Sequence, residues 1–180
     1  MRRTVLNRIA AGKLAARTLI ARGYRRVAFL GGPESATSTQ DRFEGFAAVI
    51  SADPRMALST SFADAYSFAA GRAEMQRLLA SGAPAEAYFC GDDVLSIGAL
   101  SALNGAGLSV PEDVGIIGLN DMEMAGWDNI NLTTIYNPIK EIIVASVDLV
   151  AELVTRPDHT PQARLFDCHV IERGTLRPCA

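Results

Sequence analysis

The residues whose chemistry could serve a function follow four short apolar segments of the chain. They comprise one cation, one aromatic ring, and several carboxylates and amides: Arg42, Tyr66, Asp92, Asp93, Asn120 and Asp121. Carboxylates and amides exchange hydrogen bonds with hydroxyl groups, an arginine offers a fixed fork of donors, and a ring stacks on an apolar face. Brought to one place, such a set suits a polyhydroxylated or heterocyclic small molecule.

Each of these residues also has a purely structural interpretation. Asp93 and Asp121 are expected to cap the helices that follow them, because a carboxylate oxygen there can accept free backbone N–H groups. Arg42 could be a solvated helix residue, and Tyr66 could be a packing residue. Asp92 is harder to explain in this way, since two adjacent acids after a strand seldom both act as caps.

Enzymatic chemistry finds little support in the sequence. The two histidines, His159 and His169, do not follow a strand near the acids, and neither a Ser-His-Asp arrangement nor metal-ligand spacing is apparent. We therefore predict that the chain is not an enzyme and uses no cofactor and no metal. A magnesium-dependent α/β enzyme built on Asp92 and Asp93 is the less favoured alternative.

The apolar segments that precede these residues alternate with segments of helical periodicity. Four strands are predicted, at 26–30, 58–62, 87–90 and 114–119. Helices are predicted at 9–20, 43–50, 68–79 and 94–103. Strand–helix units of about 30 residues indicate crossover connections and a parallel sheet covered on both faces, an α/β fold. In such a sheet, ligands bind beyond the carboxyl ends of the strands, where the polar residues fall.

The pattern changes after residue 119. Residues 120–131 are polar and irregular, 132–136 form a short extended run, and Pro138 begins a further helix. The apolar surface of that helix is wider than one stripe, so it requires burial on more than one side. After a loop at 156–161, alternation over 166–171 predicts a half-buried edge strand.

Composition excludes several classes of protein. The chain has 180 residues, of which 49% are hydrophobic, and a net charge of −3, which argues against a membrane span, a fibre or a nucleic-acid-binding surface as a whole. The first 33 residues hold eight basic residues and no acid, which we interpret as a folded helix with a charged outer face. Three cysteines without metal-ligand spacing, and no secretory signal, predict reduced thiols and a cytoplasmic location.

Six phrases of the sequence, in order and at the right spacing, closely resemble the LacI/GalR (lactose-repressor) family of bacterial transcription regulators. They are GYRRVAFLGGP at 23–33, DRFEGF at 41–46, CGDD with IGAL at 90–93 and 97–100, GLSVPEDV at 107–114, GLND at 118–121 and LTTI at 132–135. The resemblance implies a periplasmic-binding-protein-like sensor with two lobes and an effector, such as a sugar or a nucleobase, between them. Closure of the lobes in a homodimer would then change the affinity for operator DNA.

The resemblance also implies which residues contact the effector. Position by position these are Ser38, Arg42, Tyr66, Asp92, Asn120 and Asn137. Two depart from the common pattern, because Asp92 stands where the family often has Asn and Asn120 where it usually has Asp. The identity of the effector therefore cannot be borrowed from a familiar member. A dimer face is implied at Val94, Ile97 and Trp127, with core packing as the alternative for Trp127.

The family pattern implies a particular division of the chain. Residues 3–135 plus 162–178 would form the C-terminal lobe, and the helix within 136–156 would belong to an N-terminal lobe that is largely missing. The helix-turn-helix headpiece of the family has no counterpart here, so operator DNA would be bound only through that absent part. A sugar-binding protein of a transport system is the alternative, and no membrane partner is expected.

Overall fold

The computed structural model describes residues 4–6, 8–82, 84–155 and 164–178. Its strands are β1 (Thr4–Leu6), β2 (Arg26–Gly31), β3 (Ala57–Phe62), β4 (Ala87–Cys90), β5 (Gly115–Asn120), β6 (Thr134–Tyr136), β7 (Arg164–Phe166) and β8 (His169–Ile171). Its α-helices are α1 (Arg8–Ala21), α2 (Thr37–Ile50), α3 (Phe68–Ala80), α4 (Asp93–Gly105) and α5 (Ile139–Thr155). The predicted loop at 156–161, His159, Cys179 and the first three residues lie outside these ranges.

Six strands form one sheet, in the order β3, β2, β4, β5, β6, β8. All neighbouring pairs are parallel except β6 and β8, which are antiparallel. The predicted α/β fold with a parallel sheet is therefore confirmed. Strand β5 is buried along almost its whole length, as expected of a parallel strand covered on both faces.

Helices α1 and α2 pack on one face of the sheet. The buried rings of Phe29, Phe46 and Phe89 meet there, with the centroids of Phe46 and Phe89 5.3 Å apart. Helices α3 and α4 cover the opposite face, where Met75 and Leu95 are fully buried. The sheet thus lies between two helical layers, and its carboxyl edge is fixed from both sides.

The basic amino-terminal segment is largely a folded helix, as predicted. Lys13 and Arg17 lie exposed on α1, whereas Arg22, just beyond it, is buried and pairs with Glu172. No helix among the described residues meets the length and hydropathy needed to cross a membrane.

Two strands and one helix lie apart from the main sheet. Strands β1 and β7 pair with each other in parallel, and α5 contacts β1. The single edge strand predicted over 166–171 is therefore two strands in two different sheets. Both strands fall within the ranges that the predicted division gives to the C-terminal lobe, and they form a two-stranded sheet of their own. The sequence could not show this, because strand partners are chosen by contacts between distant segments.

Candidate functional site

The six predicted effector contacts come together at the carboxyl edge of the main sheet. Ser38 and Arg42 lie on α2 after β2, Tyr66 follows β3, Asp92 follows β4, Asn120 ends β5 and Asn137 follows β6. They form two hydrogen-bonded groups, one around the Tyr66 hydroxyl and one around the Asn120 amide. A fold in which these residues scatter would have ruled out a shared site.

The first group is built around the hydroxyl of Tyr66. This oxygen lies 2.6 Å from Thr39 Oγ1 and 3.3 Å from Ser38 Oγ. The ring lies against the loop after β2, where a Cβ added at Gly32 would be 2.5 Å from Tyr66 Cζ. Thr39 and Gly32 therefore position the ring, and neither was among the predicted contacts. The Gly31-Gly32 pair after a strand was the available signal, since such a pair permits close approach to a backbone.

Arg42 links the first group to the backbone just before Asp92. Its side chain is 7% exposed, so the solvated-helix interpretation is wrong. Nη1 donates to the Gly91 carbonyl at 2.5 Å and to the Tyr66 hydroxyl at 3.3 Å, while Nε is buried and has no partner among the described atoms. Burial lowers the pKa of Arg42, and Tyr66 and Asp92 oppose that shift. Arg42 therefore keeps one unused donor, the Nε–H group, near the sheet edge.

The second group is a chain of hydrogen bonds in which each side chain donates to the next, from Asn137 through Asn120 to Asp92. Asn137 Nδ2 donates to Asn120 Oδ1 at 2.9 Å, and Asn120 Nδ2 donates to Asp92 Oδ2 at 2.6 Å. Asp92 Oδ1 accepts from the backbone N–H of Val94 at 2.9 Å. Burial raises the pKa of Asp92, against the opposing effects of Val94, Arg42 and Asn120. The chain ends on a carboxylate that still has lone pairs for a ligand hydroxyl.

The expected roles of the acids after β4 and β5 are wrong in two places. Asp92, not Asp93, is the N-cap of α4. Asp93 is fully buried and accepts hydrogen bonds from the backbone N–H of Met122 and the hydroxyl of Thr134. Asp121 caps no helix, because its carboxylate pairs with Arg173 at 2.7 Å. Because Asp92 and Asp93 are adjacent in the sequence, the sequence alone does not show which of the two is buried in the core.

Two cavities lie beside the strands and helices that carry these residues. One, of about 660 Å³, is lined by residues that follow β2 and β3, including Glu34, Gln40 and Asp64. The other, of about 520 Å³, lies beside α4 and is lined by Ile97 among others. Near it, Trp127 is 54% exposed, so core packing does not explain this residue. Among the described residues, no group of three or more His, Cys, Asp or Glu side chains could hold a metal ion.

The sequence matches a family described as "Periplasmic binding protein-like domain" over residues 16–176. The ribose operon repressor of Escherichia coli (strain K12) is 31% identical over 170 residues, covering 94% of this chain and 52% of the repressor. The chain thus spans about half the length of the curated relatives that it matches.

Solved structures show the same architecture. A LacI-family transcriptional regulatory protein from Corynebacterium glutamicum superposes with a TM-score of 0.81 at 31% identity, covering 96% of this chain and 66% of that chain. The complex of the transcriptional regulator CelR with cellobiose gives a TM-score of 0.87 at 25% identity, covering 94% of this chain and 52% of that chain.

Proposed function

Because the chain belongs to the periplasmic binding protein-like domains of LacI/GalR-family regulators, we propose that it senses a small-molecule effector for a transcription regulator. One observation carries this proposal: six side chains from five separate strand ends meet in two hydrogen-bonded groups at one sheet edge. Effector binding there would shift the regulator between two states of different operator affinity. Operator DNA would be bound by another part of the regulator.

A sugar fits this edge best. Asp92 offers acceptor oxygens, Arg42 offers donors, and the ring of Tyr66 offers an apolar face, which together match the hydroxyl groups and C–H faces of a sugar. The names of the relatives support this chemistry, since one is a ribose operon repressor and one regulator is complexed with cellobiose. A sugar acid or a nucleobase would use the same groups, with its carboxylate or exocyclic carbonyl oxygens at Arg42.

The two alternatives are weaker. A magnesium enzyme built on both acids would need two open carboxylates, but Asp93 is fully buried with both oxygens engaged by protein donors. The relatives are transcriptional regulators rather than enzymes or transport proteins, so we take the chain not to be an enzyme. A regulator works beside DNA, which supports a cytoplasmic location for this chain.

A thermal-shift screen of this chain tests the proposal. D-ribose, cellobiose, sugar acids and nucleobases are added at millimolar concentration, and we expect at least one class to raise the Tm by several degrees, because a ligand that binds only the native state stabilises it by mass action. The same compounds at matched concentration on an unrelated protein control for solvent effects. A folded chain with no stabilising compound in any class would count against an effector site here.

We further propose that α5, with β1 and β7, belongs to a second lobe, distinct from the lobe built on the main sheet. The exposed face of α5 supports the assignment, since Ile143, Val147, Val150 and Val154 are between 57% and 77% exposed on one side of the helix. A soluble domain seldom leaves so continuous an apolar surface uncovered. Separately, we propose that Val94, Ile97 and Trp127 lie in a homodimer interface.

These two surfaces predict different responses to substitution. We expect the chain to bind a hydrophobic dye and to self-associate, and Val147→Glu to reduce the dye signal several-fold, because the charge interrupts the apolar face of α5. Trp127→Glu, on the other surface, should leave the dye signal high and lower only association measured by sedimentation velocity. Equal dye signals in the Val147→Glu variant and the unchanged chain would contradict the assignment of α5.

A further inference from the structure

Asp93 is a buried carboxylate that lies outside the six effector contacts. Oδ2 accepts a hydrogen bond from the backbone N–H of Met122 at 2.8 Å, and Oδ1 accepts one from Thr134 Oγ1 at 2.6 Å. The strand next to it leaves no spare room, since a Cβ added at Gly118 would lie 2.3 Å from Asp93 Oδ1. One carboxylate at the start of α4 therefore ties the segment after β5 to β6, and it packs closely against β5.

The segment that Asp93 holds runs from the ligand edge to the surface. Asn120 and Asp121 have φ angles of 112° and 51°, in the left-handed region that non-glycine residues seldom adopt, and Met122 follows directly. A short 3-10 helix, Glu123–Gly126, then leads to Trp127, which is exposed. Backbone in such a conformation persists only where its surroundings fix it, and the hydrogen bond from Met122 to Asp93 supplies a fixed point.

We propose that Asp93 is a positioning residue, whose carboxylate holds Asn120 in the hydrogen-bond chain from Asn137 to Asp92 and couples that chain to the surface at Trp127. The link to ligand binding rests on the proposed function, because it takes Asn120 as an effector contact. The coupling of Asp93 to Trp127 stands without any ligand. A change in the state of the Asp93 carboxyl group therefore changes both ends of the 120–127 segment.

Burial makes the carboxyl group of Asp93 sensitive to pH near neutrality, and its charged neighbours add to this effect. Asp92 on the same helix and Asp121 on the held segment both disfavour its ionisation, and Asp121 is paired with Arg173. Cys90 on β4 is a buried thiol whose own pKa is raised to about 12, so it stays neutral. Burial is the largest effect, and it raises the pKa of Asp93 to about 7. Ionisation above this pH gives the carboxylate its full strength as a double acceptor.

Fluorescence of Trp127, the only tryptophan of the chain, reports on the far end of this segment. We expect the emission maximum of the unchanged chain to shift in a transition with its midpoint near pH 7, following Asp93. Asp93→Asn, which stays neutral and nearly isosteric, should abolish the transition. Two variants move the midpoint: Thr134→Val raises it, because the Thr134 hydroxyl lowers the pKa of Asp93, and Asp121→Asn lowers it, because Asp121 raises that pKa.

Amide hydrogen exchange gives a second readout at fixed pH. At pH 8, exchange of the Met122 amide should be about tenfold faster or more in Asp93→Asn than in the unchanged chain, because a hydrogen bond to a charged acceptor is lost. Amides of β2 serve as the internal control and should exchange at equal rates in both. Circular dichroism confirms that the variant is folded.

Several results would overturn the inference. An emission transition that persists in Asp93→Asn would assign it to another group, and a flat emission profile of the unchanged chain would show that Trp127 does not respond to Asp93. Neither measurement contains a ligand, so either failure leaves the effector proposal standing. Conversely, a ligand screen without a hit would leave the fluorescence transition intact, so the two failures are distinguishable.

Discussion

Replacing Gly45 with alanine is expected to lower the free energy of unfolding by about 3 kcal/mol. A Cβ at position 45 would lie 2.0 Å from the backbone carbonyl oxygen of Ile9, and a Cβ at Gly12 would lie 2.1 Å from that of Arg42. The two helices α1 and α2 therefore cross backbone to backbone at a pair of glycines. The clash is with main-chain atoms, which cannot turn away as a flexible side chain can.

Helix α2 has little freedom to absorb this clash. Phe46, the next residue, is fully buried, with its ring centroid 5.3 Å from that of Phe89 and 6.3 Å from that of Phe29. Moving α2 outward would open a gap around this ring and displace Arg42 from the sheet edge. The cost therefore includes both the lost packing and the altered site.

Gly105 provides a matched control. It lies at the end of α4, and a Cβ there would meet nothing within 4 Å. Gly105→Ala should be neutral or should stabilise the chain by up to about 1 kcal/mol, because alanine is the better helix former. Urea denaturation followed by circular dichroism measures both variants. A loss below about 1 kcal/mol for Gly45→Ala would show that α1 and α2 separate more easily than interior packing allows.

The alternation of elements was predictable because the parallel strands are buried on both faces. A strand such as β5 then reads as a continuous apolar run, and its predicted limits of 114–119 differ by one residue at each end from Gly115–Asn120. The polar residues that follow such strands could be assigned to one edge, since every parallel strand ends there. Both inferences use only local sequence and one rule of topology.

Contacts between distant segments were not predictable. Asp92 and Asp93 are adjacent in sequence, but the partners that turn Asp93 into the core, Met122 and Thr134, lie 29 and 41 residues away. Spacing alone therefore gave the cap to the wrong acid. Arg42 is held in its buried position by a hydrogen bond to the Gly91 carbonyl, 49 residues away. The pairing of β1 with β7 likewise joins segments from opposite ends of the chain.

Replacing Arg42 with methionine is expected to weaken effector binding by about 100-fold, the equivalent of one or two hydrogen bonds from a charged donor. Arg42 is the only arginine among the six effector contacts, and its buried Nε has no partner among the described atoms. Its guanidinium also stands 5.7 Å from the centroid of the Tyr66 ring, so its loss removes one wall of the site. Methionine keeps the apolar stem that packs in α2.

The fold should survive this substitution. Arg42 is a buried cation with no carboxylate in ion-pair contact among the described residues, so its removal relieves a desolvation cost. This gain offsets the lost hydrogen bond to the Gly91 carbonyl. Tyr66 retains its hydrogen-bond contacts with Thr39 and Ser38. The unfolding midpoint without ligand should therefore stay close to that of the unchanged chain, while the ligand-induced rise in Tm disappears.

Arg55→Met is the control, because Arg55 is exposed and pairs with Asp53, away from the sheet edge. Isothermal titration calorimetry with the most stabilising compound of the thermal-shift screen measures all three proteins at the same pH and salt concentration. The control should bind with the affinity of the unchanged chain. If Arg42→Met also binds with that affinity while remaining folded, the unused donor of Arg42 does not face the effector, and Arg42 is not an effector contact.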